Sequence, residues 1–416
     1  MVLRKYKPKI IAITGSVGKT STKDAIYTAL SAFTYVRKSQ KSFNSEIGIP
    51  LTILGCPNAW NNPLLWLRTF VEGINLIIFP NEYPKTLVLE VGADRPDDIK
   101  NVVAWLKPNV SVITKLSDVP VHVEFFASPE ELKREKGFLA QGLKKDGLLV
   151  LNADDQDVMS FKELTSAEMI SYGFGENASL RASDYKVVHE SEGGVEHPTG
   201  ISYRVSFGGV SAQVNIEGTI GIQNVYATLA AIAVGLKDGL ELDAIVKVIN
   251  EHETPPGRMK ILRGENNSTI IDDSYNSSPI AQSEALLTLK DLRISGKKIA
   301  ILGDMLELGP FSAAEHRTVG ERVAEICSVL LTVGVRARGM REAAVAVGMN
   351  QNKALSFEDS RKAGEYARSI IKAGDVILVK GSQGTLRMER AVEQIMLDKD
   401  KKSELLVRQE PEWQNR

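Results

Sequence analysis

The segment that most constrains the fold of this chain is residues 9–26, where an apolar, β-branched run leads into a glycine loop and then into a helix-compatible stretch. The loop contains Gly15 and Gly18, and the stretch after it opens with Lys19 and Thr20. This order is typical of a phosphate-binding loop, because glycines let backbone N–H groups turn toward an anion and the helix N-terminus adds positive potential. The lysine can reach terminal phosphates, and the threonine hydroxyl can bind Mg²⁺.

The match to the usual G-x-x-x-x-G-K-[ST] pattern is incomplete, because Ile13 stands where the first glycine is expected. An ordinary strand–helix turn is therefore the alternative interpretation. The apolar strand before the loop and the helix after it favour a nucleoside triphosphate site. Its predicted residues are Gly15, Ser16, Val17, Gly18, Lys19, Thr20 and Ser21.

Composition narrows the class of protein. With 416 residues the chain is long enough for two or three domains, and its net charge of −1 gives no support to general nucleic-acid binding. Two cysteines, Cys56 and Cys327, lie far apart and cannot form a zinc site alone. The most hydrophobic window, residues 63–80, contains charged residues and is too short to span a bilayer. With no signal peptide recognised, these features predict a cytoplasmic protein without a membrane span.

Apolar strand-like runs alternate with helical patterns over most of the chain, which predicts an α/β fold. The first half reads as a parallel sheet, and residues 180–217 change to period two, which predicts a small antiparallel sheet added to it. A Pro-Pro-Gly turn at residues 255–257 then precedes a second, Rossmann-like βα series. We therefore predict a P-loop ATPase domain over residues 1–254, a second domain over 255–398, and a frayed, charged tail over 399–416.

Several polar residues follow predicted strands, at the sheet edge where α/β proteins bind ligands. Glu90 and His122 come after two strands of the first half, with a solvated acid and a structural histidine as the alternatives. In the second half, Asp273 and Asn276 end another strand, and Arg258 follows the Pro-Pro-Gly turn, from which it could reach a phosphate held by the first domain. Taken alone, Lys136 on a charged helical segment reads as a solvated lysine.

The order of the motifs carries a family resemblance. Along the chain stand GSVGKTSTKD, SFNSEIGIPLTIL, LEVGADRPDDI, LLVLNADD, IQNVYATLAA, PPGRM, IDDSYNSSP, LGDMLELG and LVKGSQG. Together, over residues 9–396, they resemble the Mur ligases, and most closely the branch that adds D-alanyl-D-alanine. GDMLELG and DDSYN resemble that branch specifically, whereas the phosphate loop is shared by the superfamily, including folylpolyglutamate synthases.

The resemblance implies a role for each candidate residue. Lys19 and its loop would hold ATP, with Thr20 and Glu90 on one Mg²⁺ and His122 on a second metal. Lys136 falls where some members carry a carbamylated lysine, although Phe138-Leu139 replaces the usual Glu-Ile after Gly137. The resemblance also implies that Asn224, Asp273 and Asn276 face the nucleotide. Arg258 would reach phosphate across the gap between the domains.

The reaction implied is amide ligation, in which ATP phosphorylates a carboxylate and an amine attacks the acyl phosphate. Substrates would be a peptidoglycan precursor and D-Ala-D-Ala. Typical members carry an N-terminal UDP-binding domain, for which residues 1–14 leave no room, so a protein partner that replaces it is one possibility. Residues 60–83 could cover that surface, touch a membrane interface or pack as a core helix, the interpretation favoured by the sequence. A glutamate-adding ligase and a non-catalytic, nucleotide-binding partner subunit remain as alternatives.

Overall fold

The computed structural model describes residues 1–40, 43–382, 384, 386–410 and 413. Ser42 and Gln383, which belong to two of the quoted motifs, lie outside the described residues. Within these described residues there are two β-sheets, one built from residues 9–217 and the other from residues 260–380.

The first sheet has nine strands in the order β2-β3-β1-β4-β5-β6-β7-β8-β9. Pairing is parallel from β2 to β7 and antiparallel from β7 to β9, so the antiparallel strands extend the same sheet. The strands are β1 (Lys9–Thr14), β2 (Val36–Lys38), β3 (Thr86–Glu90), β4 (Val110–Ile113), β5 (Leu148–Asn152), β6 (Glu168–Gly173), β7 (Leu180–Glu192), β8 (Val195–Phe207) and β9 (Val210–Glu217).

Helices cover both faces of this sheet, and each face has its own apolar core. Ile11 and Ile13 of β1 face one core, whereas Ile10 and Ala12 face the other, as the alternation of a buried strand requires. The helices are α1 (Val2–Tyr6), α2 (Lys19–Ser31), α3 (Gly48–Leu54), α4 (Pro63–Ile78), α5 (Asp98–Leu106), α6 (Pro129–Gln141), α7 (Gln156–Ser160), α8 (Ile222–Lys237) and α9 (Leu242–Ile249).

The second sheet has six strands in the order β10-β11-β15-β12-β13-β14, with β10 antiparallel and the others parallel. Its strands are β10 (Lys260–Gly264), β11 (Ser268–Asp273), β12 (Lys298–Gly303), β13 (Val329–Val333), β14 (Ala354–Phe357) and β15 (Val376–Lys380). Its helices are α10 (Pro279–Asp291), α11 (Ser312–Ile326), α12 (Arg338–Ala346), α13 (Ser360–Ile370), α14 (Glu389–Ile395) and α15 (Lys402–Leu405).

Two sequence predictions about local structure are wrong. Residues 60–83 do not form a core helix, because Thr69 is the one buried residue of α4. Residues 399–410 are not a frayed tail, because Leu406 and Arg408 are buried. Glu389 holds Arg408 there, because Arg408 Nη1 donates a hydrogen bond to Glu389 Oε2 at 2.9 Å.

None of the helices in the described ranges is long and apolar enough to cross a membrane.

Candidate active site

A cleft of about 960 Å³ lies between the two sheets, at the carboxyl ends of β1, β3 and β11. In the first sheet, β1 lies between β3 and β4, so the chain leaves these strands in opposite directions and opens a crevice there. All residues predicted for the site line this cleft except Gly15 and Lys136. Residues distant in sequence are therefore brought together as the strand-end pattern predicts.

The phosphate-binding loop is held against β4. Ser16 N donates to Lys115 O at 2.7 Å, and Thr114 Oγ1 donates to Val17 O at 2.6 Å. A Cβ on Gly15 would stand 2.0 Å from Thr114 Oγ1, and its φ of 147° also favours glycine. The close approach of the loop to β4 thus requires glycine at this position. Ile13, in place of the first glycine of the usual pattern, is a buried residue of β1.

Lys19 begins α2 and bends back over the loop. Its Nζ donates to Gly15 O at 2.8 Å, and burial lowers the pKa of its ammonium while Glu90 opposes that effect. Gly18, directly before it, has a φ of 88° and forms the N-cap of α2. The loop therefore presents a helix N-terminus and a lysine at the same point, an arrangement suited to phosphate.

Thr20 connects two parts of the site through its hydroxyl group. Its Oγ1 donates to Glu90 Oε2 at 3.0 Å, and Asn44 Nδ2 donates to Glu90 Oε1 at 3.2 Å. Glu90 is only 2% exposed and lies beside Ile13 in the parallel register of β3 and β1. Sequence reasoning missed Asn44 as a site residue, although it stands in the quoted SFNSEIG motif.

Arg258 reaches the same hydroxyl from the other side of the cleft. Its Nη2 lies 3.2 Å from Thr20 Oγ1, its guanidinium stacks 4.1 Å above the ring of Tyr275, and its Nε is buried without a hydrogen-bond partner among the described residues. The turn that carries it is fixed by Gly257, whose N–H donates to Asp272 Oδ2 at 3.2 Å. Arg408 adds a second guanidinium 5.4 Å from the Tyr275 ring. Sequence reasoning missed both Tyr275 and Arg408.

Lys136 is buried on α6, so its interpretation as a solvated lysine is wrong. Burial, and after it the nearby charge of Lys19, lower the pKa of its amine to about 7. A substantial neutral fraction at neutral pH makes this amine a nucleophile. Its neighbour Glu135 has a structural role, since its carboxylate accepts hydrogen bonds from Asp97 N and Ile99 N at the start of α5.

His122 lies at the rim of the cleft and contacts Glu307, a residue of the second half of the chain. Its Nδ1 is 2.6 Å from Glu307 Oε2, and its Nε2 is 3.6 Å from Asp94 Oδ1. The hydrogen bond from His122 lowers the pKa of the Glu307 carboxyl group. Glu307 belongs to the LGDMLELG motif, and sequence reasoning did not predict this pair.

The residues predicted to face the nucleotide are partly engaged with the protein. Lys380 Nζ donates to Asp273 Oδ2 at 2.5 Å and to Asn276 O at 2.9 Å. Asn224 Nδ2 donates to Thr219 Oγ1 at 2.7 Å, so this amide stabilises the turn before α8. Gln223 also lines the cleft, and its Oε1 is buried with no partner among the described residues, which leaves an acceptor available to a ligand.

Comparison with known families matches both halves of the chain. The Mur ligase middle domain matches residues 13–65 and 70–235, which is more than half of the chain, and the Mur ligase glutamate ligase domain matches residues 257–383. The chain belongs to the Mur ligase family. The resemblance predicted from the motifs, and the α/β fold class predicted with it, are confirmed.

Individual relatives extend this result. This Mur ligase is 26% identical over 395 residues to the UDP-N-acetylmuramoyl-tripeptide--D-alanyl-D-alanine ligase of Bacillus subtilis (strain 168), an alignment that covers 95% of this chain and 77% of the relative. MurF of Thermotoga maritima, solved in complex with ADP, superposes with a TM-score of 0.76 at 25% identity and covers 94% and 80% of the two chains. Mycobacterium tuberculosis folylpolyglutamate synthase superposes with a TM-score of 0.66 at 15% identity, and the match covers 92% of this chain and 90% of the synthase. At this identity the likeness is one of fold alone.

Proposed function

We propose that this Mur ligase joins D-alanyl-D-alanine to the tripeptide carboxylate of UDP-N-acetylmuramoyl-tripeptide in an ATP-dependent reaction, as the name of the Bacillus subtilis relative states for that protein. The enzyme class is that of the family, an ATP-dependent ligase of acids with amino acids or peptides. A carboxylate oxygen attacks the γ-phosphorus, ADP leaves, and the amine of the dipeptide then displaces phosphate from the acyl carbon. The products are the amide, ADP and phosphate.

The observation that carries the proposal is the meeting of Lys19, Thr20 and Arg258 in one cleft. Lys19 and Arg258 supply two fixed cations from opposite sides, and Thr20 lies between them with its hydroxyl in contact with Arg258. Phosphoryl transfer depends mainly on such positioning and charge stabilisation. Groups fixed before the reaction do not have to reorganise as the charge moves, so each contributes strongly to the rate.

The donor set at Thr20 fits a Mg²⁺ ion. This ion prefers oxygen ligands and takes one or two from the protein and others from substrate phosphates and water. Thr20 Oγ1 and Glu90 Oε2, 3.0 Å apart, supply oxygens of that kind. The described residues contain no group of three or more His, Cys, Asp or Glu side chains that could hold a metal, and an ion shared with phosphate does not need one. When bound, Mg²⁺ would neutralise phosphate charge.

Lys136 is proposed to react with CO₂. Its neutral amine would attack the carbon of CO₂ and form an N–C bond as one C–O π bond opens. The nitrogen would then lose one proton to solvent, which leaves a carbamate anion in place of the amine. The pKa of about 7 provides the neutral amine, and the neighbouring Lys19 charge favours an anion at this place. A carbamate can bind a metal as a carboxylate does. His122 can bind a metal through Nε2 while its Nδ1 keeps the contact with Glu307 Oε2.

We further propose that the two sheets define two domains, residues 1–254 and 255–398, whose approach aligns carboxylate and amine. Three kinds of contact join them in the present arrangement. Lys115 Nζ lies 2.6 Å from Glu284 Oε1, His197 Nδ1 lies 2.9 Å from Thr269 Oγ1, and Val121 packs against the core of the second sheet. Because ATP is the phosphoryl donor, we place the reaction in the cytoplasm. A protein partner with a UDP-binding surface stays a prediction.

The test is a phosphate-release screen in which carboxylates and amines are varied independently. We expect release above background only when ATP, UDP-N-acetylmuramoyl-tripeptide and D-Ala-D-Ala are all present. Phosphate release that instead requires glutamate and a folate would show that the chain is a glutamate-adding ligase. Nucleotide binding without release for any pair would assign the role of a non-catalytic subunit and overturn the proposal.

A further inference from the structure

Helix α4 carries an apolar stripe that no other part of the described chain covers. Apart from the adjacent pair Phe70 and Val71, its members recur at intervals of three or four residues. Each is between 56% and 74% exposed: Leu64, Leu67, Phe70, Val71, Ile74 and Ile78. We call these six residues the α4 stripe. Trp60 and Phe79, both about half exposed, extend it at either end. Contiguous exposed apolar surface of this kind marks a site of interaction.

The helix itself is firmly built, so the exposed stripe is a defined surface. Asn62 caps its start by accepting hydrogen bonds from Leu64 N and Leu65 N. At its end, Lys5 Nζ donates to Leu76 O at 2.9 Å, and Tyr6 OH donates to the same carbonyl oxygen at 2.9 Å. Helices α1 and α3 both pack against α4. These contacts fix which face of the helix remains exposed.

The surroundings of the α4 stripe are basic. The chain as a whole has a net charge of −1, yet it contains no acidic residue before Asp24. Helix α1, which packs on α4, carries exposed Arg4 and Lys5, and Lys7 follows at its C-cap. Helix α4 adds Arg68, against the single acid Glu72. Cations thus lie on α4 and on the helix that packs against it, in a protein that is otherwise nearly neutral.

We propose that the α4 stripe binds the surface of an anionic phospholipid bilayer. The bulky apolar side chains would enter the boundary between headgroups and acyl chains, while the cations of α1 contact lipid phosphates. Trp60 and Trp66, an exposed and a half-buried aromatic residue on this segment, are of the type enriched at membrane interfaces. With 16 residues, α4 is too short to span a bilayer, so it would lie in the plane of the surface.

Charge complementarity favours a bilayer over a second copy of this chain. Two copies that met through the α4 stripe would bring their basic α1 helices to the same interface with few acids to match them. An anionic surface instead attracts every one of these cations. Helix α3 also begins directly after Ile47, which lines the catalytic cleft, and packs against α4. Membrane binding would therefore hold one rim of the cleft beside the bilayer.

The experiment is flotation of the full chain with vesicles of phosphatidylcholine alone or phosphatidylcholine with 30% (~0.3 mole fraction) phosphatidylglycerol. We expect binding to the anionic vesicles, weakened at least about tenfold by the triple variant Leu67→Gln, Phe70→Gln, Ile74→Gln. The double variant Arg4→Gln, Lys7→Gln should weaken anionic binding by about fivefold for each cation removed. Neither variant touches the cleft, so phosphate release in buffer should stay at the wild-type rate.

The matched control replaces two equally exposed apolar residues on the second half, Val335→Gln and Val347→Gln, and should bind vesicles as the wild type does. Three results would overturn the proposal. The first is that the wild-type protein does not float with the vesicles even at millimolar anionic lipid. The second is equal binding by the triple variant and the control. The third is a dimer in sedimentation analysis that the triple variant dissociates while vesicles remain unbound, which would assign the α4 stripe to a second copy.

Discussion

Arg258 Nη2 and Thr20 Oγ1 lie 3.2 Å apart, and this hydrogen bond joins the turn that begins the second half of the chain to the first turn of α2. The same hydroxyl group donates to Glu90 Oε2. A cation from one side of the cleft and a carboxylate from the other therefore meet at one threonine. A phosphoryl group transferred at this point would be surrounded by both halves of the protein.

Arg258→Ala should lower kcat by about 10²–10³-fold with little effect on the melting temperature, because it removes a cation aimed at charge that develops during the reaction. Steady-state kinetics with saturating ATP measures the effect. The matched control is Arg263→Ala, since Arg263 is more than half exposed and its ion pair with Glu192 is on the surface. Equal kinetics for the two variants would argue against a role for Arg258 at the phosphate.

Lys19→Ala should reduce ligation by about 10²-fold or more and leave the fold intact, because Lys19 is the lysine of the phosphate-binding loop. Circular dichroism checks the fold, and product formation measures the activity. Lys145→Ala, at an exposed lysine after α6, serves as the control. Near-wild-type ligation by Lys19→Ala would refute the assignment of the loop.

Lys136 should incorporate label from ¹³C-bicarbonate as a carbamate. The extent should increase as the pH rises through about 7, because only the neutral amine attacks CO₂ and burial sets its pKa there. Carbon NMR at pH values on both sides of that point measures it. Lys136→Ala should abolish the signal and most activity, with partial rescue by small carboxylates. An unlabelled Lys136 above its pKa in saturating bicarbonate would remove the basis for this modification.

Asp273→Asn should destabilise the protein by about 3–5 kcal/mol, because it leaves the Lys380 ammonium buried without its anion. Lys380 is 2% exposed and its Nζ lies 2.5 Å from Asp273 Oδ2. Denaturant unfolding measures the change, and the double variant Asp273→Asn, Lys380→Met should recover much of it. Glu393→Gln, which breaks an exposed ion pair, should cost less than about 1 kcal/mol. A similar cost for both single variants would contradict the structural account.

Strand periodicity and motif order predicted much of this fold and site. Glu90 and His122 were predicted to lie at one sheet edge because polar residues gather there after parallel strands. Both line the cleft at the ends of the neighbouring strands β1, β3 and β4. The contact of Glu307 with His122 could not be found this way, because it depends on how the two sheets are placed. Hydrophobicity likewise could not distinguish a core helix from α4, because burial is decided by what packs against each face.

The burial of Arg408 was missed for a related reason. Its segment is rich in charge, which is typical of a frayed terminus. Ion pairing with Glu389 and hydrogen bonds to the carbonyl groups of Ser274 and Tyr275 instead hold it against the loop that supports Arg258. Ser274 and Tyr275 lie more than a hundred residues away in the sequence, and Glu389 belongs to α14. No local sequence pattern therefore reveals these partners.

We expect ATP to activate the carboxylate as an acyl phosphate, and the fate of a labelled carboxylate oxygen shows whether it does. The tripeptide carboxylate of UDP-N-acetylmuramoyl-tripeptide is labelled with ¹⁸O and incubated with the enzyme, ATP and D-Ala-D-Ala, and the released phosphate is analysed by mass spectrometry. We expect one ¹⁸O atom in each phosphate formed, because the attacking carboxylate oxygen leaves with the phosphoryl group. Phosphate released with the amide product but without the label would contradict it.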